Sequence, residues 1–291
     1  MNRFRGLGTA LVTPFRGEEV DFNAFRRMVK RQVDAGVDFL VPLGSTAETA
    51  CLSDDEKLEI LKITREEAGN LPVVAGAGSN SLTATLHNIR LLEPCGPDAW
   101  LVVVPFYNKP VQEGIYQYFK AVAESTDRSI ILYNVPGRTG TDMKRETVLR
   151  LAGIPNIVAV KEASGDVARI LDIRRQAPAD FSVLSGNDDQ TLPLMAGGAD
   201  GVISVASNVA PEAMKALTEA VEKSDLREAV RLNNRLMPLY EACFAESNPI
   251  PVKAALALMG LCSARMRLPL TEATGSTKEL LSSVLGELGL A

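Results

Sequence analysis

The chain has 291 residues, of which 46% are hydrophobic and 23% charged, and a formal net charge of −5. Such a length allows one large α/β barrel or two medium domains, and the composition is that of an ordinary globular enzyme. The acidic balance and the lack of a basic run argue against nucleic-acid or anionic-membrane partners, and no stretch reaches the roughly 20 apolar residues of a membrane span.

The N-terminal "MNRFRGLGTALVTPF" carries two arginines, but its apolar stretch is too short for a signal peptide and Pro14 interrupts it; a cytoplasmic location is expected. From there, short β-branched or apolar runs alternate with amphipathic stretches. A strand over 8–14 precedes a helix over 21–36, and a strand over 38–46 precedes a helix over 53–69. Strands over 72–80, 99–108 and 129–137 follow, with helices over 81–96, 112–126 and 144–153. The last three units pair strands over 156–164, 181–188 and 201–208 with helices over 166–178, 189–198 and 210–224. Asp21, Ser53 with Glu56 three residues on, and Asp166 stand where helices should begin.

Eight such units predict an α/β fold, a (β/α)8 TIM barrel whose strands are buried on both faces. Alternation alone does not show closure, so a doubly wound open sheet is the competing fold. The count of eight favours the barrel, as does the absence of a GxGxxG after the first strand. Residues 1–224 read as the barrel. Residues 225–291 hold only helical patterns and read as a C-terminal helical domain.

Barrel chemistry sits at the C-terminal ends of the strands. Here those ends hold Thr13, Ser45, Thr46, Tyr107, Tyr133, Lys161, Gly186 and Ser204, a set rich in hydroxyls and poor in carboxylates. Only Glu48, Glu162, Asp188 and Asp189 are near, too few for a divalent-metal site. The single histidine, His87, falls in a helical pattern; it excludes a site of two or three histidine ligands and leaves a Ser-His-Asp triad with only a poorly placed candidate. The four cysteines (Cys51, Cys95, Cys243 and Cys262) form no CxxC pair and read as reduced thiols. A mechanism without metal or cofactor fits best.

Within "NIVAVKEASGD" (156–166), Lys161 ends an apolar run, where a lysine is uncommon. A free lysine has a pKa of about 10.4, so near neutral pH only about one amine in a thousand is unprotonated, a handicap of roughly 4 kcal/mol for a nucleophile. Desolvation in a barrel mouth removes part of that handicap, and the neutral amine condenses with a carbonyl substrate to a Schiff base. The structural alternative is a snorkelling lysine or an ion pair with Glu162, although strand neighbours point to opposite faces. Lys109, in a Pro-bracketed loop, is expected to be solvated. "LYNVPGRTG" (132–140) adds Tyr133 as a proton shuttle and Arg138 as an anion fork; "LGSTAET" (43–49) offers hydroxyls and N–H groups to a carboxylate. Taken singly, these would equally read as a core tyrosine, a surface arginine and a helix cap. "MAGGADGVIS" (195–204) resembles a phosphate loop, but its glycines precede the eighth strand and read as a helix C-cap and tight turn.

"LGSTAET", "PFYNKP", "LYNVPGRTG", "VAVKEASGD", "SGNDD" and "VISVASN", in this order and spacing, resemble the dihydrodipicolinate synthase / N-acetylneuraminate lyase family of pyruvate-dependent class I aldolases. The resemblance runs from about residue 5 to the C-terminal helices. It implies a Schiff base between Lys161 and pyruvate, with Tyr133 as proton donor and acceptor, linked through Thr46 to Tyr107 from a neighbouring subunit. It also implies that Ser45 and Thr46 hold the pyruvate carboxylate, that the Ile203 carbonyl lies near the imine, and that Arg138 guides the carboxylate of aspartate-4-semialdehyde. Gly186, Asn187 and Asn248 are further candidates for contact with that substrate. Arg138 and Tyr107 resemble the synthase branch, whose product is 4-hydroxy-tetrahydrodipicolinate, towards lysine and diaminopimelate. A sugar-acid, sialic-acid or hydroxyglutarate lyase of the same family is the alternative, and a silent binding barrel is disfavoured because Lys161 and Tyr133 are both present. The family implies a homotetramer, a dimer of dimers.

Two departures from the family pattern matter. Ala47 replaces a glycine, so its turn should not require positive φ, or else it is mildly strained. Ala84 and Phe106 stand where a glutamate and a tyrosine of the family's lysine feedback site are expected, which implies weak or absent inhibition by lysine.

Overall fold

In the computed structural model, which describes residues 4–290, the apolar runs form eight parallel strands. Residues 1–3 and 291, the outer ends of the two ranges above, lie outside the described residues. The strands are β1 (Gly6–Ala10), β2 (Phe39–Val41), β3 (Val74–Gly76), β4 (Ala99–Val103), β5 (Ser129–Asn134), β6 (Ile157–Glu162), β7 (Ser182–Ser185) and β8 (Gly201–Ser204). Their order is β2-β1-β8-β7-β6-β5-β4-β3. A parallel bridge between Leu40 and Val73 joins the two ends, where the Leu40 N–H donates to the Pro72 carbonyl at 3.0 Å and the Gly76 N–H to that of Pro42 at 3.0 Å. The sheet therefore closes. An open sheet would leave two unpaired edges, and the fold is a (β/α)8 barrel.

The barrel helices are α1 (Phe22–Asp34), α2 (Asp54–Ala68), α3 (Leu82–Leu92), α4 (Gln112–Ala123), α5 (Arg145–Leu151), α6 (Val167–Gln176), α7 (Thr191–Ala196) and α8 (Pro211–Glu222). The expected caps are in place. The Asp21 carboxylate accepts from the Ala24 N–H, Ser53 and Glu56 form a reciprocal capping box, and Asp166 accepts from the Arg169 N–H. Gly197 caps α7, and Gly198, at φ 101°, makes the tight turn into β8. A small hairpin, Phe15–Arg16 with Glu19–Val20, and a one-turn helix, Pro136–Thr139, were not expected from the pattern.

Strand starts agree closely with the sequence reading, but the strands end sooner. The second was expected to 46 and stops at Val41; the fourth was expected to 108 and stops at Val103. The residues beyond turn across the barrel mouth. Ser45–Ala47 forms a 3₁₀ turn, and Tyr107 and Lys109 take φ of 71° and 47°, which no strand accommodates. Polar strand ends thus become loops, and loops are where function is positioned.

Two apolar layers follow from strand alternation. One fills the barrel, with Phe39, Val74, Leu101, Ile131, Ala159, Leu184 and Ile203. The other joins wall to helices, with Leu40, Trp100, Leu132, Val160 and Val202 among its strand members. Tyr133 belongs to the inner layer.

The C-terminal residues form α9 (Leu226–Cys243), α10 (Ile250–Leu258) and α11 (Gly275–Leu288). They also contact the turn after β2. Lys253, fully buried on α10, places its Nζ 2.7 Å from Glu48 Oε1, itself fully buried, and 4.1 Å from the Phe15 ring centroid. Burial pulls the Lys253 pKa down, and the Glu48 carboxylate opposes it. The Arg267 N–H donates to Glu48 Oε2 at 3.2 Å, so both carboxylate oxygens are used. Breaking such a pair from one side leaves a buried, uncompensated charge. K253M should lower the unfolding free energy by about 3–5 kcal/mol in urea melts, and E48Q/K253M should recover part of that loss.

Candidate active site

Lys161 is only 5% exposed, and its Nζ lies 4.4 Å from the centroid of the Tyr133 ring. The two residues are direct cross-strand partners on β6 and β5. Glu162, next along the strand, points the other way. Its carboxylate accepts from Asn134 Nδ2 at 3.2 and 3.1 Å, from the Ser164 N–H at 2.9 Å and from Arg169 at 3.3 Å. The ion pair between Lys161 and Glu162 that would have made the lysine structural is therefore not formed. Gly186 backs the lysine stem: a Cβ there would lie 3.1 Å from Lys161 Cε and 2.6 Å from Ala163 Cβ.

The turn after β2 shares a cavity wall with Tyr133. Gly44 starts it in extended geometry, and the N–H groups of Ala47 and Glu48 donate to the Gly44 and Ser45 carbonyls at 3.0 and 3.2 Å. Positive φ falls on Leu43 (59°) and Glu48 (52°), not on Ala47, so alanine replaces glycine there without backbone strain. Thr46 is buried, and its hydroxyl accepts from Asn248 Nδ2 at 3.0 Å. Arg138, on the Pro136–Thr139 turn, donates to the Asn248 carbonyl at 3.0 Å and reaches Ser45 Oγ at 3.4 Å. Asn248, in the segment preceding α10, thus ties the hydroxyl turn to the arginine.

A cavity of about 470 Å³ opens here, lined by Ser45, Tyr133, Arg138, Phe106 and Lys57 among others. Thr46 and Lys161 do not line it. Ile203 is fully buried in β8 with its side chain in the barrel. Tyr107 stands outside the mouth: it is 86% exposed, with its N–H on the Thr139 carbonyl at 3.1 Å. Asn187 turns its amide to Gln190 Oε1 at 3.2 Å. Lys109 is solvated, and His87 pairs with Asp54 on the surface at 2.9 Å.

The sequence reading gave no role to Asp188, which it counted only among carboxylates near the mouth. Asp188 is buried, and its Oδ2 accepts from the Val205 and Ala206 N–H groups at 3.0 and 2.9 Å, tying the loop after β7 to that after β8. Burial raises its pKa, and the charge of Lys161 is among the influences that lower it. Its place in the "SGNDD" run was the only signal available.

Residues 3–288 match the model of the Dihydrodipicolinate synthetase family. The chain belongs to that family. The 4-hydroxy-tetrahydrodipicolinate synthase of Thermotoga neapolitana is 47% identical over 292 residues, covering 99% of each chain. The dihydrodipicolinate synthase of Thermotoga maritima superposes with a TM-score of 0.97 at 45% identity, covering all of both chains. A chloride-inhibited dihydrodipicolinate synthase from Acinetobacter baumannii, solved with pyruvate, gives a TM-score of 0.96 at 40% identity over 99% of each. Within the site, the absence of a side chain at Gly186 leaves room for the Lys161 stem. G186A forces the Lys161 stem or Ala163 to move. A misplacement near 1 Å costs on the order of 100-fold in rate, so steady-state turnover by G186A should fall at least tenfold, with the melting temperature lowered by a few degrees through the crowding at Ala163.

Proposed function

We infer that the chain is a 4-hydroxy-tetrahydrodipicolinate synthase, condensing pyruvate with aspartate-4-semialdehyde through a Schiff base on Lys161. The observation that carries this reading is the sequestered Lys161 amine, 4.4 Å from the Tyr133 ring centroid and released from its neighbouring carboxylate. Attack of the neutral amine on C2 of pyruvate expels water and gives an imine. Loss of a methyl proton then gives an enamine, because the protonated imine nitrogen acts as an electron sink. The enamine carbon attacks the aldehyde. The substrate's own amino group next closes on C2 and displaces Lys161. One water is lost overall, and the lysine is regenerated.

In this scheme Tyr133 moves protons, and Ser45 and Thr46 hold the pyruvate carboxylate at the turn after β2. Arg138 takes the carboxylate of the second substrate, a planar fork being suited to that partner. Gly186 and the Ile203 carbonyl border the imine. Tyr107, an exposed aromatic in a left-handed conformation, completes the site of a neighbouring subunit in a homotetramer. The reaction belongs to lysine and diaminopimelate biosynthesis, and four unpaired cysteines fit a reducing cytoplasm.

Borohydride reduction in the presence of pyruvate, followed by mass mapping, should place a three-carbon adduct on Lys161. An adduct elsewhere, or none, overturns the reading. Turnover with aspartate semialdehyde but not with N-acetylneuraminate separates the synthase from its lyase relatives. Y133F should lower kcat by about 10²–10⁴-fold, the usual worth of a positioned general acid–base. Ala84 and Phe106 deprive a bound lysine of a carboxylate and a hydroxyl, so millimolar lysine should leave the rate nearly unchanged, whereas a micromolar inhibition constant would contradict this assignment.

A further inference from the structure

Lys161 faces the barrel because of an interruption earlier in its own strand. On β5, Ile130 faces the helices, and Ile131 and Tyr133 face the barrel. On β6, Ile157 faces the helices, but Val158 and Ala159 both pack on the inner layer, and Val160 faces outward again. The register records the same break: Ile130 pairs with Ile157, and the next pair is Ile131 with Ala159. Val158 is the extra residue of a bulge, which shifts the alternation by one. Continued from Ile157 without the bulge, period-2 alternation would turn Lys161 to the helices and Glu162 into the mouth.

Beyond the bulge, one set of bonds opposes a return to the simple phase. Asn134 and Glu162 are cross-strand partners one residue past Tyr133 and Lys161. Both are fully buried on the outer face of the wall. Asn134 Nδ2 reaches both Glu162 oxygens and also Asp142 Oδ1 at 3.0 Å, and its Oδ1 accepts from the Met143 N–H at 3.0 Å. Arg169 bonds Glu162 at 3.3 Å and Asp142 at 2.8 Å. We propose that Glu162 is a positioning residue whose outer-wall clamp with Asn134 holds the bulge-shifted register of β6, and thereby keeps the Lys161 amine beside Tyr133 in the mouth. A buried polar group that selects register is a well-attested use of such groups. The proposal rests on the Schiff-base reading for its consequence in turnover, but not for its geometry.

The test uses the full chain in three forms, E162L, E162Q and N134A, with two readouts. Reductive methylation by formaldehyde, mapped by mass, reports whether the amine of residue 161 is reachable, whatever the enzyme does. Borohydride trapping with pyruvate reports Schiff-base formation. E162L, without acceptors, should lower both rates at Lys161 at least tenfold relative to the exposed Lys109, with kcat falling more than KM changes. E162Q retains a carbonyl acceptor and should recover to within about threefold of the parent chain, while N134A, which leaves Ser164 and Arg169 on Glu162, should be intermediate. A cooperatively melting E162L with parental methylation and trapping overturns the proposal, as does an E162Q as impaired as E162L. If E162L does not fold, N134A decides: reduced methylation at Lys161 supports the clamp and an unchanged rate overturns it. Parental methylation without pyruvate trapping in the unsubstituted chain would refute the Schiff-base reading alone.

Discussion

Lys161 and Glu162 are consecutive residues of one strand and both are buried, so the mouth depends on which of them faces it. Strand geometry sends the two side chains to opposite sides of the wall. The carboxylate finds an amide, an arginine and a backbone N–H on its side, while the amine finds an aromatic face and a glycine on the other. Reversing them would strand each charge among the wrong partners, and an uncompensated buried ion costs several kcal/mol. The wall thus sorts a basic and an acidic group that would otherwise neutralise each other. An amine salt-bridged to its neighbour would be held in its protonated, unreactive form.

The mouth is also built from the far end of the chain. The turn after β2 carries the hydroxyls, but it is gripped from α10 and the segments on either side of it. Asn248 bonds Thr46, Lys253 bonds Glu48, and the Arg267 N–H takes the remaining Glu48 oxygen. Asn248 also receives Arg138 from the turn after β5. A short 3₁₀ turn has few internal bonds of its own, so these outside contacts fix it. The C-terminal helices therefore set the geometry of the site as well as covering the barrel.

Much of this was legible in the sequence because it rests on local periodicity. Eight apolar runs, their alternation with amphipathic stretches and the capping residues identified the barrel, and several of the polar strand ends fall beside the cavity. Strand ends were read too long because residues such as Ser45 and Tyr107 continue an acceptable pattern while their backbone turns away. What remained hidden is non-local. Nothing near Glu48 in the sequence announces Lys253 as its partner, and Asp188 binds two N–H groups on another loop. The bulge at Val158 was hidden for another reason: in a run of Ile, Val, Ala and Val every residue is apolar, so a one-residue shift leaves no mark on the hydrophobic pattern.

The distribution of charge around the mouth completes the logic. Glu48 is spent on Lys253, Glu162 on Asn134 and Arg169, and one Asp188 oxygen on two backbone N–H groups. Among the described residues, neither Lys161 nor Arg138 joins an ion pair; the arginine's bonds go to a hydroxyl and a carbonyl. A guanidinium without a carboxylate partner and an unpaired amine beside an apolar barrel interior are complementary to small, anionic, carbonyl-bearing molecules. An anion of that kind would supply the negative charge that the protein withholds. The same arrangement spares the substrate from displacing an internal carboxylate, so its charge–charge attraction is not spent on breaking an existing pair.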